Sequence, residues 1–126
     1  MSRLLLRSLA RAICLLALAS SVFAADAEHG KAIFAPCAAC HTDRADALGP
    51  RLKGIVGRKS AALDDFRYSN AMKRANLVWD EDILRAYIHD PQGKVKDNRM
   101  PYGGMSDPHD LDDVIAYPWR RQARSP

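Results

Sequence analysis

The apolar residues of this chain recur at helical spacing, and no segment convincingly indicates a β-strand. The clearest helix is expected over residues 80–89, where Asp80 can cap the first turn and Pro91 follows the end. Its apolar face consists of Ile83, Leu84, Tyr87 and Ile88. This stripe predicts an amphipathic helix that packs against a core on one side.

Other helices are indicated by the residues at their boundaries. Residues 27–34 predict a helix that ends at Pro36, and Ser69 can cap a short helix. A last helix is expected to start near Asp107, with Pro108 in its first turn, and to end or kink at Pro118. The pattern therefore predicts three to four helices.

Long loops connect these helices. Glycine and proline punctuate residues 48–57, and residues 91–104 are polar with little apolar content. Loops of this length in so small a domain need an internal group to pack against. The expected fold class is all-α, with three to four helices and long loops wrapped around such a group.

Residues 37–41 read Cys-Ala-Ala-Cys-His, which is the C-x-x-C-H spacing of covalent c-type haem attachment. Cysteines three positions apart on a helical turn are separated by about 4.5 Å along the axis, so both sulfurs can form thioethers with one porphyrin. His41 then falls under the ring and can offer a nitrogen to the iron. The motif predicts one haem c, attached at Cys37 and Cys40.

The same residues allow other interpretations. Two cysteines in an exported protein usually form a disulfide, but the adjoining His41 favours haem. A thioredoxin-like redox site would need a βαβ setting, which this sequence lacks. Zinc would need a fourth ligand, and no nearby pair of histidines has suitable spacing.

The first 24 residues have the pattern of a secretory signal peptide. A basic region with Arg3, Arg7 and Arg11 adjoins the apolar run 12–23, and small residues precede the expected cleavage after Ala24. The apolar run is too short to span a bilayer comfortably, which favours cleavage over an uncleaved anchor. The expected location is the periplasm of a Gram-negative cell.

Removing residues 1–24 changes the charge of the chain. The remainder has 16 basic and 15 acidic residues, a formal charge of about +1, whereas the whole chain carries +4. This balance gives no support to nucleic-acid binding. Residues 25–126 are long enough for one small domain, of which 117–126 are expected to form a short basic tail.

A six-coordinate iron needs a second ligand from the opposite side of the haem. The candidates in residues 25–126 are His29, His89, His109, Met72, Met100 and Met105. Met100 is favoured because it lies in a polar loop, where no amphipathic pattern explains a thioether. Met105 lies closer to the last helix and is expected to pack there, whereas Met72 fits ordinary core packing. Thioether ligation also raises the reduction potential relative to a second histidine.

Taken together, these features resemble a class I c-type cytochrome of the small bacterial, mitochondrial-like kind. The resemblance covers residues 27–117 approximately. The matching positions are Gly30, Phe34, 37–41, 49–54, 57–59, 66–69, 77–79, Tyr87, Pro91 and 99–104. The resemblance implies the cytochrome c fold around one covalent haem, with iron ligated by His41 and Met100.

The resemblance also implies roles by position. The carbonyl group of Pro50 would accept the spare N–H of His41, and Gly30 and Phe34 would form the contact between the first and last helices. Residues matching those that hold a buried haem propionate are Arg58, Tyr68 and Trp79. Residues matching polar groups on the methionine side are Asn70, Tyr87 and Asn98.

Two positions depart from the family pattern. Lys96-Asp97 replaces the Pro-Gly that commonly precedes the methionine segment, from which we expect a more mobile loop or a weaker Met100–iron bond. Pro118-Trp119 interrupts a normally longer last helix, from which we expect weaker packing between the first and last helices.

The expected function is a soluble, monomeric carrier that shuttles single electrons between redox proteins of a respiratory chain. Its partners would be membrane oxidoreductase complexes, oxidases or dehydrogenases, and the exposed cations expected to guide them are Lys53, Lys94, Lys96 and Arg99. No membrane span is expected after signal cleavage, and the protein is not expected to be an enzyme. The alternative is weak peroxidase-like chemistry after Met100 detaches, but no distal acid–base histidine is evident in its loop.

Overall fold

A computed structural model describes residues 26–122. The predicted signal peptide, residues 1–24, and the last four residues of the predicted tail lie outside this range. The helices are α1 (Ala27–Cys40), α2 (Asn70–Arg74), α3 (Glu81–His89), α4 (Pro91–Lys94) and α5 (Pro108–Gln122). Within the described residues there is no strand, only one isolated antiparallel bridge between Lys59 and Val78. The predicted all-α fold class is confirmed.

The helix α1 is longer than predicted. The Asp26 carboxylate caps it by accepting the backbone N–H groups of Glu28 at 2.9 Å and His29 at 3.2 Å. The expected end at Pro36 is wrong, since α1 continues to Cys40. Pro36 removes only one backbone donor from the helix. The extensive packing of α1 on α5 stabilises the helix on both sides of this proline.

The contact between α1 and α5 is the most extensive between helices in residues 26–122. At Gly30 the two backbones approach so closely that a β-carbon would overlap the carbonyl group of Asp113. One turn further along α1, the rings of Phe34 and Tyr117 lie 5.4 Å apart between centroids. The predicted contact of Gly30 and Phe34 with the last helix is therefore present.

The helix α5 begins where the sequence predicts but does not end at Pro118. It continues to Gln122, so residues 117–122 are helical although the sequence places them in a tail. The apolar face of the helix before this proline comprises Leu111, Val114 and Ile115, all buried. Packing of α5 against α1 holds the helix, and the proline removes only the bond that residue 118 would donate.

In the middle of the chain, two helices begin at the capping residues that the sequence predicts. Ser69 Oγ accepts the N–H of Met72 at 3.0 Å, and Asp80 Oδ1 accepts the N–H of Ile83 at 2.8 Å. Both caps and both helices were predicted. The short helix α4 was not: Asp90 ends α3 and at once caps α4, through the N–H of Gly93 at 2.9 Å.

The core beside α3 is built by loops as much as by helices. Its buried residues are Ile55, Trp79, Leu84, Tyr87 and Val95. Partly buried apolar side chains border this cluster, among them Met72 and Met100. None of the helices in the described part of the chain is long and apolar enough to cross a bilayer.

Candidate cofactor site

The two cysteines of the C-x-x-C-H segment lie in the last turns of α1. Cys37 and Cys40 are three residues apart on this helix, so their side chains share one face, and both are half-buried. They are not joined by a disulfide. Burial raises the pKa of the Cys37 thiol. The geometry places two adjacent sulfurs at the point where the chain leaves the helix.

His41 follows directly, and its ring is held by the next loop. Its Nδ1 lies 2.7 Å from the carbonyl oxygen of Pro50. Because a carbonyl oxygen only accepts, Nδ1 carries the proton and Nε2 is left with its lone pair. The bond that the resemblance implied between Pro50 and His41 is therefore observed, and it leaves Nε2 able to bind a metal.

Gly49 contributes to this arrangement through its lack of a side chain, a role that was not predicted. A β-carbon at this position would lie 2.6 Å from Cε1 of the His41 ring. The Gly49 N–H also donates to the carbonyl oxygen of Cys40 at 3.0 Å. Only glycine lets the loop pass this close to the imidazole and still reach Pro50. In the sequence, the adjacent Gly49 and Pro50 were the only feature that could have indicated this close approach to His41.

Arg58 is a partly buried cation. Its guanidinium donates to the carbonyl oxygens of Arg51 at 2.8 Å and Lys53 at 3.2 Å. No carboxylate in residues 26–122 lies within ion-pair distance of it, and burial lowers its pKa. A guanidinium held by carbonyl oxygens but without an anionic partner is suited to bind a carboxylate.

Trp79 and Tyr68 lie beside this cation. The backbone N–H of Trp79 donates to the backbone carbonyl oxygen of Arg58 at 2.9 Å, and Trp79 is only 7% exposed. Burial raises the pKa of Tyr68, and the nearby charge of Arg58 opposes that rise. The structure therefore brings together the three residues that the sequence analysis assigned to a propionate.

Met100 is half-buried and packs against the core cluster around Trp79 and Tyr87. Its N–H donates to Oδ1 of Asn98 at 2.8 Å. The buried amide of Asn98 in turn donates to the carbonyl oxygens of Pro91 and Val95, each at 2.9 Å. One amide side chain thus fastens the methionine loop to α4.

Gln92 and Asp97 complete this support. The amide of Gln92 donates to the carbonyl oxygen of Asn98 at 3.1 Å and accepts the N–H of Asp97 at the same distance. Asp97 has a φ of 64°, the left-handed conformation that glycine adopts most easily. Gln92 was not predicted, because nothing in a polar loop distinguishes one amide side chain from another.

The other candidate ligands have different surroundings. His29 pairs with Asp113, and His89 donates to the carbonyl oxygen of Met105 at 2.9 Å. Met72 packs against the core cluster, as predicted, and it borders the same cluster as Met100. Tyr87 lies in that cluster, with its ring 5.1 Å from Trp79 and its pKa raised to about 12 by burial.

Comparison with known proteins assigns the chain to a family. The family model for cytochrome c matches residues 27–118. The chain belongs to the cytochrome c family. It is therefore an electron-transfer protein with one covalently attached haem c and its iron, as predicted.

Individual relatives agree. The chain is 42% identical over 98 residues to cytochrome c2 of Agrobacterium tumefaciens (strain II Chrys), covering 73% of this chain and 88% of that protein. It is 38% identical over 109 residues to cytochrome c2 of Blastochloris viridis, covering 82% and 86%. The solved structure of cytochrome cH from Methylobacterium extorquens is similar, with a TM-score of 0.70 and 42% identity. That match covers 75% of this chain and 98% of the solved chain.

The residues described above fit a haem. The cysteines offer two sulfurs on one face, His41 has Nε2 available, and Arg58 has no carboxylate of residues 26–122 within ion-pair distance. In contrast, within residues 26–122 no three His, Cys, Asp or Glu side chains come together as a metal site would require. The zinc interpretation therefore finds no ligand set in the described part of the chain.

Proposed function

We propose that this cytochrome is a periplasmic carrier of single electrons whose haem is bound to Cys37 and Cys40 and whose iron is ligated by His41 and Met100. The haem supplies one-electron exchange between the ferrous and ferric states. The protein contributes a fixed set of ligands, a partly buried cation and a charged surface. The signal peptide would be cleaved after Ala24, leaving residues 25–126 as the mature domain.

The bond between His41 and Pro50 carries this proposal. At 2.7 Å it fixes both the tautomer and the plane of the imidazole before a ligand bond forms. Because His41 follows the end of α1 and its ring is held by the backbone of the next loop, we expect it to reorganise little when the iron changes charge. Low reorganisation is what a fast electron carrier needs.

Met100 is the proposed second ligand because its loop is organised around it. Asn98 bonds to the N–H of Met100 and to two carbonyl oxygens of the α4 segment. The Met100 side chain borders the apolar cluster that would line the haem, whereas His29 and His89 are engaged elsewhere. A thioether in this position would favour the reduced state.

Arg58, Tyr68 and Trp79 are the proposed propionate ligands. A buried carboxylate without a donor would be costly, and Arg58 offers a cation without an ion-pair partner among residues 26–122. Its charge would hold the propionate ionised and balance the negative charge of that carboxylate. Lys53, Lys94, Lys96 and Arg99 are all exposed, and we assign to them the guidance of redox partners.

Optical spectra of periplasm-expressed protein test the ligands. Met100→Ala, Met72→Ala and Met105→Ala form a matched set, because each removes one thioether. We expect all three to retain covalent haem by mass spectrometry, and Met100→Ala alone to lose the far-red band of the thioether–ferric bond and to lower the potential. Persistence of that band in Met100→Ala, or its loss in Met72→Ala alone, would overturn the assignment.

Mass spectrometry also tests the attachment and the export. The mature protein should have the mass of residues 25–126 plus one haem, and Cys40→Ser should impair maturation. A normal yield of doubly attached holoprotein from Cys40→Ser would contradict the role of that cysteine.

A further inference from the structure

The methionine loop, residues 97–105, is fixed against α3 at the end that follows Met100. The N–H of Met105 donates to the carbonyl oxygen of Ile88 at 3.0 Å. The ring of His89 donates to the carbonyl oxygen of Met105 at 2.9 Å. Any movement that carries Met100 away is therefore expected to start at the other end of the loop.

Two amide side chains hold the end of the methionine loop that precedes Met100. The side chain of Asn98 is buried, whereas that of Gln92 is exposed. The amide of Gln92 donates to the carbonyl oxygen of Asn98 and accepts the N–H of Asp97, each at 3.1 Å. One exposed side chain thus makes two bonds to the backbone of two consecutive loop residues.

The backbone at this end of the loop is strained. Asp97 has a φ of 64°, which is unfavourable for a residue with a β-carbon. Rotation back to a negative φ would relieve the strain and redirect the chain before it reaches Met100. The two bonds of Gln92 fix the peptide group before Asp97 and the peptide group after Asn98. They therefore restrain the rotation that lies between these two groups.

We propose that Gln92 is a positioning residue that keeps the methionine loop closed and thereby limits the rate at which Met100 leaves the iron. This role rests on the proposed ligation of the iron by Met100. Water can replace the two bonds of an exposed amide, whereas the bonds of the buried Asn98 break only when the loop leaves the core. The contacts of Gln92 are thus the first to open.

Displacement of Met100 by imidazole measures the opening of the loop. In the ferric holoprotein at saturating imidazole, the far-red thioether band disappears at the rate at which Met100 leaves the iron. Gln92→Ala should raise this rate about fivefold, because it removes two exposed hydrogen bonds. Covalent haem and the melting temperature should stay close to those of the wild type, because the buried bonds of Asn98 remain.

Two further variants separate hydrogen bonding from side-chain size. Gln92→Glu keeps the shape of the side chain, but at neutral pH its carboxylate cannot donate to the carbonyl oxygen of Asn98. We expect Gln92→Glu to lose Met100 at least about threefold faster than the wild type. Lys31→Ala, which removes an exposed side chain from α1, is the matched control and should show the wild-type rate.

Equal rates in the wild type and Gln92→Ala would overturn the role of Gln92. A faster rate in Gln92→Ala with the wild-type rate in Gln92→Glu would also overturn it, since side-chain size would then hold the loop. An equal increase in Lys31→Ala would do the same. The proposed function fails by a different result, namely persistence of the far-red band in Met100→Ala. A band that depends on Met100, with no change in rate among the Gln92 variants, would reject only the role of Gln92.

Discussion

His29 Nδ1 lies 2.8 Å from Asp113 Oδ2, and this contact joins the first turn of α1 to α5. The other oxygen of Asp113 accepts the N–H of Asp26 at 2.6 Å. The hydrogen bond between the two side chains is the largest cause that raises the pKa of His29 and lowers that of Asp113. One carboxylate thus ties the start of the domain to its last helix.

The first prediction is that this contact makes stability depend on pH. The raised pKa of His29 contributes stability that is complete below 6.5, the usual histidine value, and is lost as pH rises through the folded pKa. The lowered pKa of Asp113 contributes stability above 3.8 that is lost as pH falls through its folded pKa. His29→Gln should therefore lower the melting temperature more at mildly acidic pH than at alkaline pH.

His89→Gln is the matched control, because His89 bonds to the Met105 carbonyl oxygen and to no carboxylate in residues 26–122. Thermal unfolding of the holoprotein, followed by circular dichroism at several pH values, provides the measurement. High salt should reduce the difference for His29→Gln, since the pair is partly exposed. A His29→Gln deficit that is the same at every pH would show that packing, not charge, dominates this contact.

The second prediction concerns Asn98. Its buried side chain satisfies two carbonyl oxygens and the N–H of Met100. Asn98→Ala removes three hydrogen bonds and leaves the Met100 N–H without its acceptor, whereas both carbonyl oxygens keep a backbone partner, so it should lower the free energy of unfolding by about 2 kcal/mol. The far-red thioether band should weaken as well, since the Met100 loop loses its anchor. Asn70→Ala, at an exposed position, should change the free energy by less than about 0.5 kcal/mol. A similar loss in both variants would refute the anchoring role.

The third prediction concerns a strained alanine. Ala61 has a φ of 56°, a conformation that is unfavourable for a residue with a β-carbon and natural for glycine. Ala61→Gly should therefore raise the free energy of unfolding by about 0.5 kcal/mol, after the added flexibility of the unfolded chain is subtracted. The adjacent Ala62 has no positive φ, so Ala62→Gly should destabilise by a similar amount. Denaturant titration of both variants measures the contrast, and equal destabilisation would disprove the strain.

Local signals explain which parts of the fold could be predicted. Ser69 and Asp80 cap helices within three residues of themselves, so their effect is visible in a short stretch of sequence. The spacing of Cys37, Cys40 and His41 is equally local. The predicted ligand set and the signal peptide remain predictions that the proposed experiments test.

Contacts between residues that are distant in the sequence explain why two predicted helix ends were wrong. The ends of α1 and α5 were misplaced because Pro36 and Pro118 act locally, whereas the packing at Gly30 joins residues more than 80 positions apart. The same distance hid the pairing of Asp113 with His29, which is 84 residues away. The spacing of apolar residues along the sequence does not indicate which polar side chains meet when two helices pack together.

The last prediction is that Gly49→Ala breaks the hydrogen bond between His41 and the carbonyl oxygen of Pro50. An added β-carbon would lie 2.6 Å from Cε1 and 2.7 Å from Nδ1 of the His41 ring, so either the ring or the loop must move. Movement of either one breaks the bond from Nδ1 to the Pro50 carbonyl oxygen, and the imidazole loses its fixed plane. The ferric spectrum should then show a larger high-spin fraction, and the yield of holoprotein should fall. Gly103→Ala is the matched control, because a β-carbon at Gly103 meets no atom within 4 Å. A Gly49→Ala protein with the spectrum of Gly103→Ala would show that the ring tolerates displacement, and the Pro50 bond would then not be what orients His41.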